Sequence, residues 1–135
     1  MYIRHAILAV LLVGCNPKSG DNKAQASKAT LELPALPDPL EAGWKGDKVC
    51  EVVEENEHVR VLKCTFPPGV GHEEHYHLPH IGYTLAGGTF QIMDSTGSRT
   101  VDVPTGSKFT KEHLTAHQVL NVGETTASFL IIEYK

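Results

Sequence analysis

From Trp44 onward, nearly every apolar stretch of this chain is short, rich in β-branched or aromatic residues, and closed by turn-forming residues. "HVRVLKCTF" runs into "PPG", "IGYTL" into "AGG", "TFQIM" into "DSTG" and "RTVDV" into "PTG". An amphipathic helix needs an apolar stripe sustained over several turns, and no segment after Trp44 offers one. Strands this closely punctuated predict an all-β sandwich or barrel whose side chains alternate between interior and solvent. The last run, "ASFLIIEYK", is apolar on both faces and predicts a closing strand deep in the sheet.

The first third of the 135 residues reads differently. In "MYIRHAILAVLLVGC" a short polar start with Arg4 precedes an uninterrupted run of apolar or small residues from Ala6 to Gly14, and Cys15 follows directly. A membrane span needs about 20 apolar residues, more than this run supplies, so the layout is that of a secretory signal. Its "LVGC" junction resembles the bacterial lipoprotein signal. That resemblance implies lipidation of Cys15 as the first mature residue and an anchor in the membrane. With Asn16 rather than Asp after the cysteine, it also implies a place at the outer membrane of a Gram-negative cell, facing the periplasm. "NPKSGDNKAQASKAT" then contains no large apolar residue and cannot bury surface, and "LELPALPDPL" adds three prolines. The expected organisation is a signal over 1–14, a flexible proline-rich tether over 15–43 and one folded domain over 44–135. A formal charge of −4 with no basic run argues against a nucleic-acid partner.

Cys50 and Cys64 remain after such processing. "DKVCEVVEENEHVRVLKCTF" reads as two strands around "ENEH", and pairing residue 55 with 59 sets Cys50 opposite Cys64. In an oxidising compartment they form a disulfide; the alternative is two small buried apolar residues on one sheet face.

"GVGHEEHYHLPHIGY" holds four of the chain's eight histidines. His75 and His77 are one residue apart, so on a strand both imidazoles share a face while Tyr76 points away. Two nitrogen ligands on one strand chelate an ion weakly, and a third has to come from a distant strand. His72 precedes this strand and reads as a solvated loop residue, with Glu73 and Glu74 as charged loop positions beside it.

These residues resemble the two motifs of the cupin superfamily, small β-barrels or jelly rolls that bring metal ligands from separate strands into the barrel mouth. The first motif is Gly, five residues, His-x-His, three or four residues, Glu, six residues, Gly; Gly69, His75, His77 and Gly87 fit it. The second is Gly, five residues, Pro-x-Gly, two residues, His, three residues, Asn; Gly106, His117 and Asn121 keep its spacing. His80 stands in the glutamate column, one residue closer to His77 than usual, and Glu112 and Leu114 replace the second motif's Pro and Gly. His113 lies in the same turn without an assigned role.

The resemblance implies His75, His77 and His117 as core ligands of a divalent transition metal, with His80 either a fourth ligand or a hydrogen-bonding group beside an open position. A carboxylate-free set suits Fe, Zn, Ni or Cu better than Mn. It further implies a small-molecule ligand or substrate and a possible homodimer through edge strands. Two functions follow: a metal-dependent enzyme with oxygenase or isomerase-like chemistry, or a non-catalytic module that binds a metal or small ligand. Tyr83, pointing inward or packed as a core aromatic, and Glu112 are the candidate catalytic groups.

Overall fold

The strands form where the punctuation places them. The computed structural model describes residues 34–135; the signal over 1–14, Cys15 and most of the tether lie outside the described residues. Nine strands follow one another: β1 (Cys50–Glu55), β2 (Val59–Phe66), β3 (Gly71–His77), β4 (His80–Ala86), β5 (Gly88–Asp94), β6 (Gly97–Val103), β7 (Lys108–Lys111), β8 (Thr115–Asn121) and β9 (Ala127–Tyr134). Among the described residues there is no helix. The strands make two antiparallel sheets, of order β1-β2-β9-β4-β7 and β3-β8-β5-β6, the all-β jelly-roll arrangement in which two sheets enclose one interior.

The closing strand occupies the centre of the larger sheet, between β2 and β4, as its two apolar faces require. The register stacks inward-facing residues in rows. One row joins Cys64, Phe129 and Thr84, the next Leu62, Ile131, Gly82 and Phe109, and the last Arg60, Glu133, His80 and Lys111. The first two rows are essentially apolar, and the third carries four polar groups. Phe66, Phe90 and Phe129 close the apolar end as a triangle of edge-on rings with centroids 5.4–6.0 Å apart. Gly82 has a distinct reason to lack a side chain, since a Cβ there would collide with the Phe109 ring lying over it.

Cys50 and Cys64 are cross-strand partners and are joined by a disulfide. The expected register holds at this end of the hairpin. Toward the turn a bulge between Val52 and Glu54 shifts it, so that Glu55 faces Arg60 instead of Val59.

The glycines that open the two motifs sit in turns with left-handed backbone, Gly69 at φ 76° and Gly106 at φ 80°, where an L side chain is strained. The motif asparagine, Asn121, is fully buried and ties the end of β2 to the turn between β8 and β9. Its amide donates to the carbonyls of Phe66 and Thr125, both at 2.8 Å, and its oxygen accepts from the Gly123 N–H at 3.0 Å.

The fold begins before Trp44, which corrects the expected boundary of the tether. Pro39 and Ala42 are buried, and the segment runs along the free edge of β3. Tyr76 N–H donates to the Pro37 carbonyl at 3.2 Å and Glu73 N–H to the Gly43 carbonyl at 2.8 Å. An exposed sheet edge is a template for unwanted pairing; this proline-containing strap covers one.

Candidate metal centre

His75 on β3 faces His117 on β8 directly across the strand pair, and His77 lies one inward position further along β3. Ligating nitrogens of these three histidines all lie within 4.8 Å of one another. The strand alternation that aims His75 and His77 inward is interrupted just upstream: between His72 and His75 the register slips. Three residues of β3 advance against two of β8, so Glu73 and Glu74 bulge outward into solvent and His72 turns inward as well. The expected solvated loop histidine is therefore a buried strand residue. His72 is only 2% exposed, donates from Nε2 to the Pro39 carbonyl at 3.0 Å and stacks on the His75 ring with centroids 3.7 Å apart.

The hydrogen bonds fix which ring nitrogen carries the proton. His75 Nδ1 lies 2.6 Å from the Glu73 carbonyl and His77 Nδ1 2.8 Å from Glu133 Oε1. Both oxygens only accept, so both Nδ1 atoms donate. Each Nε2 is left with its lone pair, and these two Nε2 atoms face one another at 2.9 Å. Two lone pairs at that distance repel unless a cation lies between them. A proton is a poor candidate, because burial, reinforced by the neighbouring imidazoles, disfavours the charged rings. His75 is pushed down to about 4, His117 to about 2, and His77 well below its ordinary value. Among the described residues nothing hydrogen-bonds the His117 ring. The donor set of three neutral imidazoles, two with aligned lone pairs, fits a borderline divalent transition metal.

The signal missed in the sequence is Glu133. It continues the inward phase of Ala127, Phe129 and Ile131 on β9, so a charged residue enters the interior where an apolar one is expected. Glu133 is fully buried. Its Oε1 holds His77, and its Oε2 accepts from Arg60 Nε at 2.9 Å and Nη2 at 2.6 Å. Arg60 Nη1 in turn donates to Asp38 Oδ2 at 2.6 Å. Burial pushes the Asp38 carboxyl up, but the Arg60 hydrogen bond and charge together with the Leu40 and Glu41 backbone N–H groups outweigh it and hold that group below its ordinary value. A carboxylate behind a ligating histidine sets its tautomer and orientation and raises its basicity. The carboxylate absent from the first motif thus returns behind His77, carried by a distant strand.

His80 lies beside His77, ring centroids 4.8 Å apart, but outside the three-residue cluster. Its Nδ1 donates to the Leu78 carbonyl at 2.7 Å, leaving Nε2 unprotonated, and burial lowers its pKa. Tyr83 and Glu112 do not line the cavity. The alternation that turns His80, Gly82 and Thr84 inward leaves Tyr83 43% exposed on the outer face, and Glu112 is exposed in the turn between β7 and β8.

The histidines open on a cavity of about 340 Å³. Its wall is aromatic and aliphatic, from Phe66, Phe90 and Phe129 to Ile92 and Val119, and Arg99 and Lys111 also line it. That volume is in the range of small-molecule sites, which begins at roughly 300 Å³.

No protein-family model matches the chain, and no curated protein matches it in sequence. Solved structures do. A cupin domain from Bordetella pertussis Tohama I superposes with a TM-score of 0.61 at 28% identity, over 64% of this chain and 92% of that one. The polyketide cyclase RemF from Streptomyces resistomycificus gives 0.53 at 17% identity, over 63% of each chain. A predicted oxalate decarboxylase from Thermotoga maritima gives 0.50 at 21%, over 64% of this chain and 79% of that one. Two packed antiparallel sheets, a histidine triad between β3 and β8, and these likenesses together give the chain the cupin fold.

Proposed function

We propose that this chain is a lipid-anchored periplasmic protein whose barrel holds one divalent transition metal on His75, His77 and His117 and acts on a small molecule bound in the cavity beside it. The observation that carries the metal site is the pair of unprotonated Nε2 atoms facing each other at 2.9 Å, each fixed by an acceptor behind its Nδ1. When bound, such an ion supplies Lewis acidity to an oxygen of the small molecule, or redox chemistry if it is iron. Fe, Zn, Ni and Cu suit the imidazole set better than Mn. The chain's own residues do the rest. Glu133 holds the His77 ring, the aromatic wall excludes water, and His80 Nε2 offers a lone pair as a fourth ligand or a proton acceptor. The enzymes among the structural neighbours, the polyketide cyclase above all, support a site for small molecules.

Anchoring rests on the "LVGC" junction at Cys15, and the outer-membrane assignment on Asn16. A homodimer through the β1 edge, where Val52 and Val53 are 43% and 55% exposed, completes the proposal. A second reading, a module that binds a metal or small ligand without turnover, is favoured by one observation: Tyr83 and Glu112 stand outside the cavity, which leaves few acid–base groups there.

Cobalt(II) substitution separates the two. An enzyme site keeps an exchangeable position, so azide titration should change the visible absorption of the cobalt protein. A spectrum indifferent to azide indicates a closed coordination sphere and contradicts the catalytic reading.

A further inference from the structure

Resting on the metal reading above, we infer that the cavity selects a small organic anion with an apolar body, its negative group drawn toward Lys111 and Arg99 and its body held by the aromatic wall. Three observations converge on this class.

The first is the charge of the site. Three neutral imidazoles cancel none of a divalent ion's charge. The one fully buried carboxylate nearby, Glu133, has one oxygen on His77 and the other on Arg60. Charge left uncompensated in a partly desolvated site favours an incoming anion over a neutral molecule of the same shape.

The second is Lys111. It is the β7 member of the inward-facing row that includes His80 and Glu133, and it lines the cavity. Among the described residues no carboxylate lies within ion-pair distance of its ammonium. Arg99 reaches the cavity from β6 of the other sheet. Asp94 and Thr96 engage its Nη1 at 2.7 and 3.4 Å, which leaves its remaining N–H donors to others. The acidic residue of the lining, Asp102, accepts the Thr89 hydroxyl at 2.7 Å. Asp94 thus pairs with Arg99, whereas Lys111 reaches the cavity with no ion-pair partner among the described residues, in a chain whose formal charge is −4.

The third is the wall. Phe66, Phe90, Phe109 and Phe129 all line the cavity, so an ion without an apolar portion leaves most of the available contact unused.

Benzoate, its neutral counterpart benzamide, and acetate, which has the charge without the ring, test this by isothermal titration calorimetry on the purified, zinc-loaded protein. Benzoate is expected to bind more tightly than either. In Lys111→Met benzoate affinity should fall by about fivefold, the range of one partly exposed charge contact, with benzamide unaffected and zinc content unchanged. Lys108→Met, on the same strand but in the outer row opposite Tyr83, should leave all three affinities as they were. Equal binding of benzoate and benzamide, or a Lys111→Met protein that binds benzoate as the parent does, overturns the inference. If the protein takes up neither zinc nor iron, nickel or copper, the metal reading fails by itself. The benzoate-to-benzamide ratio and its dependence on Lys111, measured on metal-free protein, then decide the inference separately.

Discussion

The two sheets divide the work of the site unevenly. The four-stranded sheet supplies all three imidazoles of the triad from neighbouring strands, β3 and β8, so the ligand geometry follows from one strand pair and one bulge. The five-stranded sheet contributes the support: Arg60, Glu133, His80 and Lys111 in a single row over four strands. Ligands come from residues close in sequence or directly paired; His75 is oriented within its own strand by the Glu73 carbonyl, but the carboxylate that orients His77 and the guanidinium behind it come from strands far apart. Damage to the first sheet should abolish metal binding, whereas damage to the second should weaken both the metal site and the fold.

The largest expected effect is on the supporting side. Glu133→Ala leaves Arg60 buried with only Asp38, and breaking a buried pair in this way costs about 3 kcal/mol or more in chemical denaturation. Metal affinity should also fall by roughly 10–100-fold, since His77 loses its orienting acceptor. Glu133→Gln retains an acceptor oxygen and should keep more of the metal affinity than of the stability. If Glu133→Ala binds metal as tightly as the parent, the division between the sheets is wrong.

Acidification probes the other sheet. His75 titrates near 4 in the folded chain against 6.5 ordinarily, so the unfolded state binds more protons between those values. Stability of the metal-free protein is therefore fully present above about pH 6.5 and lost as pH falls toward 4, by on the order of 3 kcal/mol from His75 alone. The melting temperature followed from pH 7.5 to 4.5 checks the sign, and a metal-loaded sample should resist the fall until the ion is released. A metal-free protein whose melting temperature rises with acidification contradicts it.

A comparable loss without change at the site is expected from the disulfide. Cys50 and Cys64 are 14 residues apart, and opening a loop of that length removes up to about 3 kcal/mol. Cys50→Ser/Cys64→Ser should melt earlier yet hold metal at the parent's stoichiometry. The smallest effect belongs to Tyr83→Phe on the outer face: below about 0.5 kcal/mol in stability and nothing in metal affinity.

The same contrast explains what was legible in the sequence. His75, His77 and His117 could be read because strand alternation and motif spacing act over a few residues. The register of Cys50 with Cys64 was readable for a similar reason, as it belongs to one hairpin. His72 reads as a solvated residue because the Glu73-Glu74 bulge changes the parity of β3, and a bulge leaves no mark in the alternation until the partner strand is known. Tyr83 lost its inward orientation to the same arithmetic: once His80 faces the interior, residue 83 cannot. Glu133 was hidden in a run that looked apolar on both faces. Its lone charge in the inward phase of Ala127, Phe129 and Ile131 was the available sign, but its partners, Arg60 and His77, lie 73 and 56 residues away. The strap of Pro37 to Ala42 reads as tether because prolines suit both an extended spacer and a covered sheet edge.

The central claim is that the facing imidazoles hold a metal. Elemental mass spectrometry of the protein purified without an affinity histidine tag, beside a His75→Ala/His117→Ala variant, tests it most directly. The account predicts one equivalent of a divalent transition metal in the parent and none in the variant. A parent protein that carries no metal even after reconstitution with iron, zinc, nickel and copper, or a variant that retains the parent's content, contradicts it.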